Sequence, residues 1–396
     1  METSQEKGSG DETTNCHSLC ETGIPNESQE VMASHSLPQG ETQSELMQPD
    51  GQLDQELLNF NEKDKAIHQE TATCMSKGEN EWREAKEFEF PDNLEGFKYA
   101  FNEYGQLRNT ETMAPFKFDV KKDDMRYNQL HYEALGEVIS EHIYGLLESE
   151  TNLMKVFLGD IEDEPRSFIF MSKNALTTTD KLLILIHGSG VVRAGQWARR
   201  LIINDCLDSG TQLPYIKRAK EEGYEVLVMN TNHNYAKASD GQRIPMKGSS
   251  SPKLHGLNVW DQFVSETPAK HVAVVAHSYG GIVTIEMAVN RMESFRKKVF
   301  AVAFTDSIHT LPYDRMGDEL HTWFVNNAAN WVASSEELGT VIDERGYDCR
   351  RISAGTIKHE ETSWYSLQSV FQFLRAKTQC LDNSKEGITI TSEIEN

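Results

Sequence analysis

The chain has 396 residues and a formal net charge of −23 at pH 7. This length allows a large buried core with additional segments. The acidic balance disfavours a surface that coats nucleic acid or anionic membranes, because such surfaces need lysine and arginine. No apolar run approaches the roughly 20 residues that a membrane-spanning helix requires. We therefore expect neither nucleic acid nor a membrane as a direct partner.

The cysteines and the start of the chain bear on its compartment. The six cysteines are scattered without a CxxC pair, which is typical of free thiols in a reducing compartment. The opening METSQEKGSG lacks the basic and then apolar pattern of a secretory signal. These features predict a cytosolic or nuclear protein.

Residues 1–87 form an acidic head. They are rich in Glu, Ser, Thr, Gln and Asn, and they hold far more Asp and Glu than Lys and Arg. Such a segment buries too little apolar area to offset the entropy lost on ordering. We predict that this head is disordered.

A packed domain is predicted from residue 88 to residue 377. Aromatic residues become frequent from Phe88 onwards, which marks the start of a core. Apolar residues recur at helical spacing over 132–147, and buried strands and helices then alternate. The further predicted elements are strands at 154–158, 167–171, 181–186 and 224–229, helices at 215–222 and 254–266, and a long loop at 234–252.

One stretch carries the strongest signal for chemistry. Residues 272–276 are apolar without a break, which predicts a strand buried on both faces. Ser278 follows at a turn, and a mostly apolar helical segment comes next, so the pattern favours a nucleophile elbow. Ala276 and Gly280 are small, as a strained elbow requires. A tight turn kept only for folding is the alternative.

The rest of the domain continues the alternation. Residues 299–304 predict another buried strand, which ends next to Asp306. A mostly helical insertion is predicted at 310–346, and a short strand at 350–353. His359 lies in the loop before a closing helix, and residues 378–396 are predicted to form a flexible tail.

Alternating strands and helices predict an α/β fold with a mainly parallel sheet and helices on both faces. Ser278, Asp306 and His359 each follow a predicted strand, so all three fall at the carboxyl edge where ligands bind. Their order along the chain is that of an α/β-hydrolase-like domain.

The three residues suit acyl transfer. A serine hydroxyl is a weak nucleophile without an adjacent base, and His359 is the predicted base for Ser278. Asp306 is predicted to orient the imidazole, with Asp343 and Asp348 as rivals. The predicted oxyanion hole uses the backbone of Tyr279 and of Gly188 and Ser189 in the HGSG loop at 187–190.

We expect no cofactor and no metal. The HGSG loop lacks the Lys-Ser/Thr of a phosphate-binding loop, and the histidines form no HExxH or other compact ligand set. His277, beside the nucleophile, is expected to line the pocket or to hydrogen-bond locally.

Several segments together resemble a known family. They are HGSG at 187–190, AHSYGG at 276–281, FTDS at 304–307, KHEETSW at 358–364 and FEFPDNLEGFKYAFNEYGQLRN at 88–109. The chain resembles the argonaute-binding-protein-two domain family, whose vertebrate members are called cotranscriptional regulators.

The resemblance implies nuclear work with argonaute proteins in heterochromatin silencing, and with chromatin and splicing factors in alternative splicing. It also implies that Ser278 is the suspected nucleophile, with no substrate specified. Two functions stay open. One is an interaction protein that uses the domain as a scaffold. The other is a serine esterase or related acyl hydrolase.

Overall fold

The computed structural model describes residues 88–160, 162, 164–238, 241–343 and 349–394. The acidic head at 1–87 lies outside the described residues, so its disorder stays a prediction. So does Asp348, one of the two rivals of Asp306.

The described residues form thirteen β-strands. They are β1 (Tyr99–Phe101), β2 (Leu107–Asn109), β3 (Leu153–Phe157), β4 (Phe168–Ser172), β5 (Lys181–Ile186), β6 (Tyr224–Val228), β7 (Tyr235–Lys237), β8 (Arg243–Pro245), β9 (His271–His277), β10 (Val299–Thr305), β11 (Ala328–Val332), β12 (Val341–Asp343) and β13 (Arg350–Ser353).

Nine strands form one central sheet in the order β12-β13-β11-β10-β9-β5-β6-β4-β3. The five pairs from β13 to β6 are parallel, and the pairs at the two edges are antiparallel. The remaining strands form two small hairpins, β1-β2 and β7-β8. The prediction of a mainly parallel α/β sheet is confirmed.

Helices connect the strands. They are α1 (Met125–Ser149), α2 (Arg199–Asn204), α3 (Leu207–Gly210), α4 (Leu213–Glu221), α5 (Pro252–Val259), α6 (Gly280–Asn290), α7 (Met292–Lys298), α8 (Tyr313–Asn327) and α9 (Thr362–Ile394). Local chemistry sets several of their starts. Asp124 accepts the Tyr127 N–H ahead of α1, and Ser251 accepts the Leu254 N–H ahead of α5.

The period-two alternation of the strands divides the core into two layers. Leu183 and Leu185 of β5 pack in one apolar cluster, and Leu182, Ile184 and Ile186 pack in the other. Helices α1, α4 and α9 cover the first face, whereas α5, α6, α7 and α8 cover the second. Each buried Leu or Ile contributes about 1.5–3 kcal/mol relative to an exposed one. Helices on both faces are therefore confirmed.

The predicted helical insertion at 310–346 is wrong in its second half. Helix α8 ends at Asn327, and β11 follows as a buried strand between β10 and β13. Its sequence AANWV is short and carries a polar Asn330, so its apolar signal is weak. Asn330 is buried because its side chain hydrogen-bonds both the Ser307 N–H and the Ser307 carbonyl.

Three smaller differences concern loops and helix ends. The predicted loop at 234–252 contains the β7-β8 hairpin. Helix α5 continues as a π-helical segment, Trp260–Val264, rather than as a regular helix. Helix α9 extends past Lys377 to Ile394. The flexibility of the tail at 378–396 stays a prediction.

Within the described part of the chain, no helix is both long and apolar enough to cross a membrane. Among the same residues, no group of three or more His, Cys, Asp and Glu side chains is placed to hold a metal ion.

Candidate active site

Ser278 lies at the turn between β9 and α6, and its φ angle is 51°. A non-glycine residue in this left-handed region is strained by about 1–3 kcal/mol, so the surrounding structure must hold it there. The Ser278 N–H donates to the carbonyl of Thr305, 3.1 Å away on the neighbouring strand β10. The strand, turn and helix predicted for this serine are therefore present.

Two glycines let helix α6 start close to the sheet. A Cβ on Gly280 would stand 2.7 Å from the Ile186 carbonyl oxygen and 2.8 Å from that of His187. A Cβ on Gly281 would stand 1.8 Å from Ser307 Oγ. Gly280, which the elbow pattern predicted to be small, and Gly281 are thus both required by the close approach of α6 to β5 and to the loop after β10.

Asp306 lies at the corresponding turn after β10, also with a positive φ of 45°. Its N–H donates to the Trp331 carbonyl at 2.7 Å. Its Oδ1 accepts the Ala333 N–H at 3.1 Å. Strand β11 and the residue after it therefore fix both the backbone and the carboxylate of Asp306.

His359 opens a short 3-10 helix ahead of α9. Its Nδ1 donates to Asp306 Oδ2 across 2.7 Å. The Thr362 hydroxyl donates to the His359 carbonyl at 2.8 Å and fixes this turn. Burial alone would raise the pKa of Asp306, but the hydrogen bond and charge of His359 and the Ala333 N–H hold that pKa below its ordinary value. Asp306 is therefore a carboxylate at neutral pH.

The structure thus brings Asp306 and His359 into contact at the sheet edge that carries Ser278. The side chain of the rival Asp343, like the whole of Asp348, lies outside the described residues. In the described part of the chain, Asp306 offers a carboxylate in contact with His359, which supports it as the orienting residue.

His277 lies between this pair and the core. It is only 3% exposed, and its ring centroid is 4.7 Å from that of His359. Its Nδ1 donates to the Thr305 carbonyl at 2.8 Å, a local hydrogen bond of the kind expected from the sequence. Burial, together with the nearby charge of His359, lowers the pKa of His277 to about 3. The His277 imidazole is therefore neutral, and it packs against the His359 ring while the bond to Thr305 holds its orientation.

The predicted oxyanion residues lie on both sides of the nucleophile. Tyr279 directly precedes α6, whose eleven residues place the positive end of a helix dipole at the turn. Gly188 lies against the serine, since a Cβ on it would stand 3.1 Å from Ser278 Cβ and 3.5 Å from Oγ. Ser189 follows it in the same loop after β5.

Access to the site is limited. Ser278 is 7% exposed, whereas the His359 side chain keeps 32% of its surface in contact with solvent. A buried Ser278 beside a partly exposed His359 suits a reaction in which His359 exchanges protons with water.

Sequence reasoning missed the residues that hold these groups in place. Thr305 and Ala333 contact the site through backbone groups. The Asn232 side-chain amide donates to the Gly188 carbonyl at 2.9 Å. Such contacts leave no catalytic motif. For Asn232 the available signal was the polar run NTNHN at 230–234, which begins two residues after β6 ends. Strand β6 lies beside β5 and parallel to it, so both end at the same edge.

The mainly parallel sheet and the serine at the turn after β9 define an α/β-hydrolase-like protein. The family model of the Arb2 domain matches residues 90–338, and the chain belongs to the Arb2 domain family. This confirms the resemblance drawn from the sequence segments.

The relatives are similar over most of their length. The chain is 46% identical over 345 residues to a cotranscriptional regulator ARB2A homolog of Gallus gallus, covering 75% of this chain and 83% of that protein. It is 44% identical over 349 residues to the cotranscriptional regulator ARB2A of Mus musculus, covering 76% and 84%. Among solved structures, that of the histone deacetylase Clr3 matches with a TM-score of 0.44 and 17% identity, over 68% of this chain and 42% of that one.

Proposed function

We propose that this protein is a cotranscriptional regulator that links argonaute proteins and chromatin to alternative splicing or silencing. The observation that carries the proposal is the 46% identity to a named cotranscriptional regulator over 83% of that protein's length. The proposed location is the nucleus, with the cytoplasm as a second one. The partners are argonaute proteins and chromatin or splicing factors.

The test is replacement of the endogenous protein by tagged full-length versions, wild type and Ser278→Ala. Argonaute recovery on the tag and the exon usage of sensitive transcripts are measured. If the domain is a scaffold, Ser278→Ala retains both. Loss of both in a folded Ser278→Ala protein would reject the scaffold, and a wild type that recovers no argonaute and changes no exon would reject the regulator.

The geometry favours a second activity in the same domain, that of a serine esterase or related acyl hydrolase. The 2.7 Å hydrogen bond between His359 and Asp306, at the edge that carries the strained Ser278, supports it. The bond to Asp306 fixes the proton on Nδ1, so Nε2 carries the lone pair that a general base uses.

In the proposed reaction, Ser278 Oγ attacks an ester or other acyl carbonyl while His359 takes the hydroxyl proton. The backbone N–H groups of Tyr279 and Ser189 stabilise the oxyanion. His359 returns the proton to the leaving alcohol as the bond to the acyl carbon breaks. Water, activated by His359, then hydrolyses the acyl-serine to release the acid and free serine.

Turnover of p-nitrophenyl acetate by the purified full-length chain tests this activity. Release of p-nitrophenol should saturate with substrate, and it should be lost in Ser278→Ala and in His359→Gln. Equal release by the wild type and Ser278→Ala would mean that the hydrolysis is not due to this site.

A further inference from the structure

The loop after β5 is held by a side-chain amide from the neighbouring strand's loop. Asn232 Nδ2 donates to the Gly188 carbonyl at 2.9 Å and to the Val192 carbonyl at 3.1 Å. Both neighbours are carbonyl oxygens, which only accept, so the amide nitrogen must face them. One side chain therefore ties together the two ends of the segment 188–192, which contains Ser189.

The Gly188 carbonyl has a second partner. His187 Nδ1 donates to it at 2.8 Å, so two donors engage this one oxygen. His187 is 1% exposed, and burial, the largest influence, lowers its pKa to about 4. The imidazole is thus neutral at pH 7. With its proton on Nδ1, it is a fixed donor to this carbonyl.

The direction of this carbonyl decides the direction of the next N–H group. The Gly188–Ser189 peptide bond is trans, so its C=O and its N–H point in opposite directions. Asn232 and His187 hold the oxygen on their side, and the Ser189 N–H therefore points away from them. Gly188 itself packs on Ser278, within 3.5 Å of Oγ for an added Cβ.

We propose that Asn232 is a positioning residue that locks the Gly188–Ser189 peptide so that the Ser189 N–H faces the oxyanion formed at Ser278. Asn232 acts in this proposal through the Gly188 and Val192 carbonyls, and not on the reacting atoms themselves. The proposal rests on the hydrolase activity proposed above, and it adds the group that sets the oxyanion hole before substrate arrives.

The scaffold behind Asn232 is itself rigid, which suits this role. Asn230 Oδ1 accepts the Ala194 N–H at 3.0 Å, and the Asn230 N–H donates to His255 Nε2 at 3.1 Å. Asn234 Nδ2 donates to the Thr231 and Ser249 carbonyls at 2.8 and 2.7 Å. The 230–234 segment is therefore held from both sides of Asn232.

Two variants of the full-length protein are compared. Asn232→Ala removes the amide hydrogen bonds, whereas Asn232→Asp also places a negative charge at the same position. Asp keeps the size but places a carboxylate against two carbonyl oxygens, so it should turn the peptide more strongly than Ala. Asn234→Ala is the matched control, because it removes two amide hydrogen bonds on the same loop without touching Gly188.

The first measurement is p-nitrophenyl acetate turnover. We expect Asn232→Asp to lower kcat at least tenfold with KM within about twofold, since an oxyanion donor acts in the transition state. Asn232→Ala should lower kcat less than Asn232→Asp does, and Asn234→Ala, which only loosens the support of the segment, should lower it least. Wild-type kcat in both Asn232 variants, or an equal loss in Asn234→Ala, would overturn the positioning role.

The second measurement is amide hydrogen exchange over residues 188–192, which does not depend on turnover. Exchange should rise more in both Asn232 variants than in Asn234→Ala. If the wild type turns over no ester but exchange rises as expected, Asn232 positions the peptide and the hydrolase proposal fails. Unchanged exchange in Asn232→Asp would show that Asn232 does not hold the Gly188–Ser189 peptide in place.

Discussion

His359 and Asp306 are 53 positions apart in the chain, and their side chains meet in a 2.7 Å hydrogen bond at the carboxyl edge of the sheet. Two separate features bring them together. Strand β11 fixes Asp306 through Trp331 and Ala333, whereas the turn capped by Thr362 fixes His359. The contact therefore depends on the pairing of β10 with β11 and on the turn before α9, and not on a local motif.

Asp306→Asn should destabilise the protein most at neutral pH. The pKa of Asp306 is lowered on folding, so its contribution is present above its unfolded pKa of about 3.9 and is lost as the pH falls through the folded value. A hydrogen bond to a charged group is worth about 1.5–3 kcal/mol. The free energy of unfolding in urea is measured for the variant and the wild type at pH 7 and at pH 3.5. A loss of unfolding free energy that is the same at both pH values would contradict this role of Asp306.

Gly280→Ala should destabilise the fold by roughly 1–3 kcal/mol, the usual cost of overpacking. The new Cβ would meet two backbone oxygens, which cannot move aside as a side chain would. Gly145→Ala on α1 is the control. No atom lies within 4 Å of a Cβ there, so it should raise stability by about 0.5–1 kcal/mol. Equal urea midpoints for the two variants would count against the close approach at the elbow.

Ser278→Gly should be more stable than Ser278→Ala by about 1 kcal/mol. Glycine adopts a φ of 51° without the Cβ clash that alanine keeps. Both variants lack the hydroxyl, so the comparison isolates backbone strain from chemistry. The free energies of unfolding in urea provide the test, and a more stable alanine variant would show that the turn is not strained.

Acid should destabilise the protein through buried histidines. Burial, with the charges of His187 and His233, lowers the pKa of His255 to about 3, below its unfolded value of about 6.5. The unfolded state therefore binds more protons between these values, and stability falls as the pH is lowered, by up to about 1.4 kcal/mol per pH unit for this group.

His255→Gln should remove the contribution of His255 to the fall of the unfolding free energy between pH 6.5 and pH 4.5. Ser249→Ala is the matched control. It removes the 2.8 Å partner of His255 Nδ1 but keeps the titrating ring, so it should lower stability and retain the slope. Unfolding free energies at a series of pH values decide the matter, and a wild-type slope in His255→Gln would contradict the assignment.

The sequence predicted those parts of the fold that have a strong local signal. Unbroken apolar runs identified β5, β9 and β10, and small residues around Ser278 identified the elbow. Strand β11 was missed because its short run carries Asn330, which is buried only through its bonds to Ser307. Its register against β10 is a tertiary property that no local pattern encodes.

Tertiary contacts also limited what the sequence could predict about the candidate site. The types and order of Ser278, Asp306 and His359 were sufficient to predict that they share one edge. The groups that orient them, such as Asn232 on the Gly188 carbonyl, act between residues distant in sequence through ordinary amide hydrogen bonds. Such partners become visible only when the strands are placed side by side.

The most direct test of the proposed site is covalent labelling of the full-length protein with a fluorophosphonate, with the modified residue mapped by mass spectrometry. We expect labelling at Ser278 that is absent in Ser278→Ala and slowed by about 10³-fold or more in Asp306→Asn. No labelling of a well-folded wild type, or labelling that persists in Ser278→Ala, would contradict it.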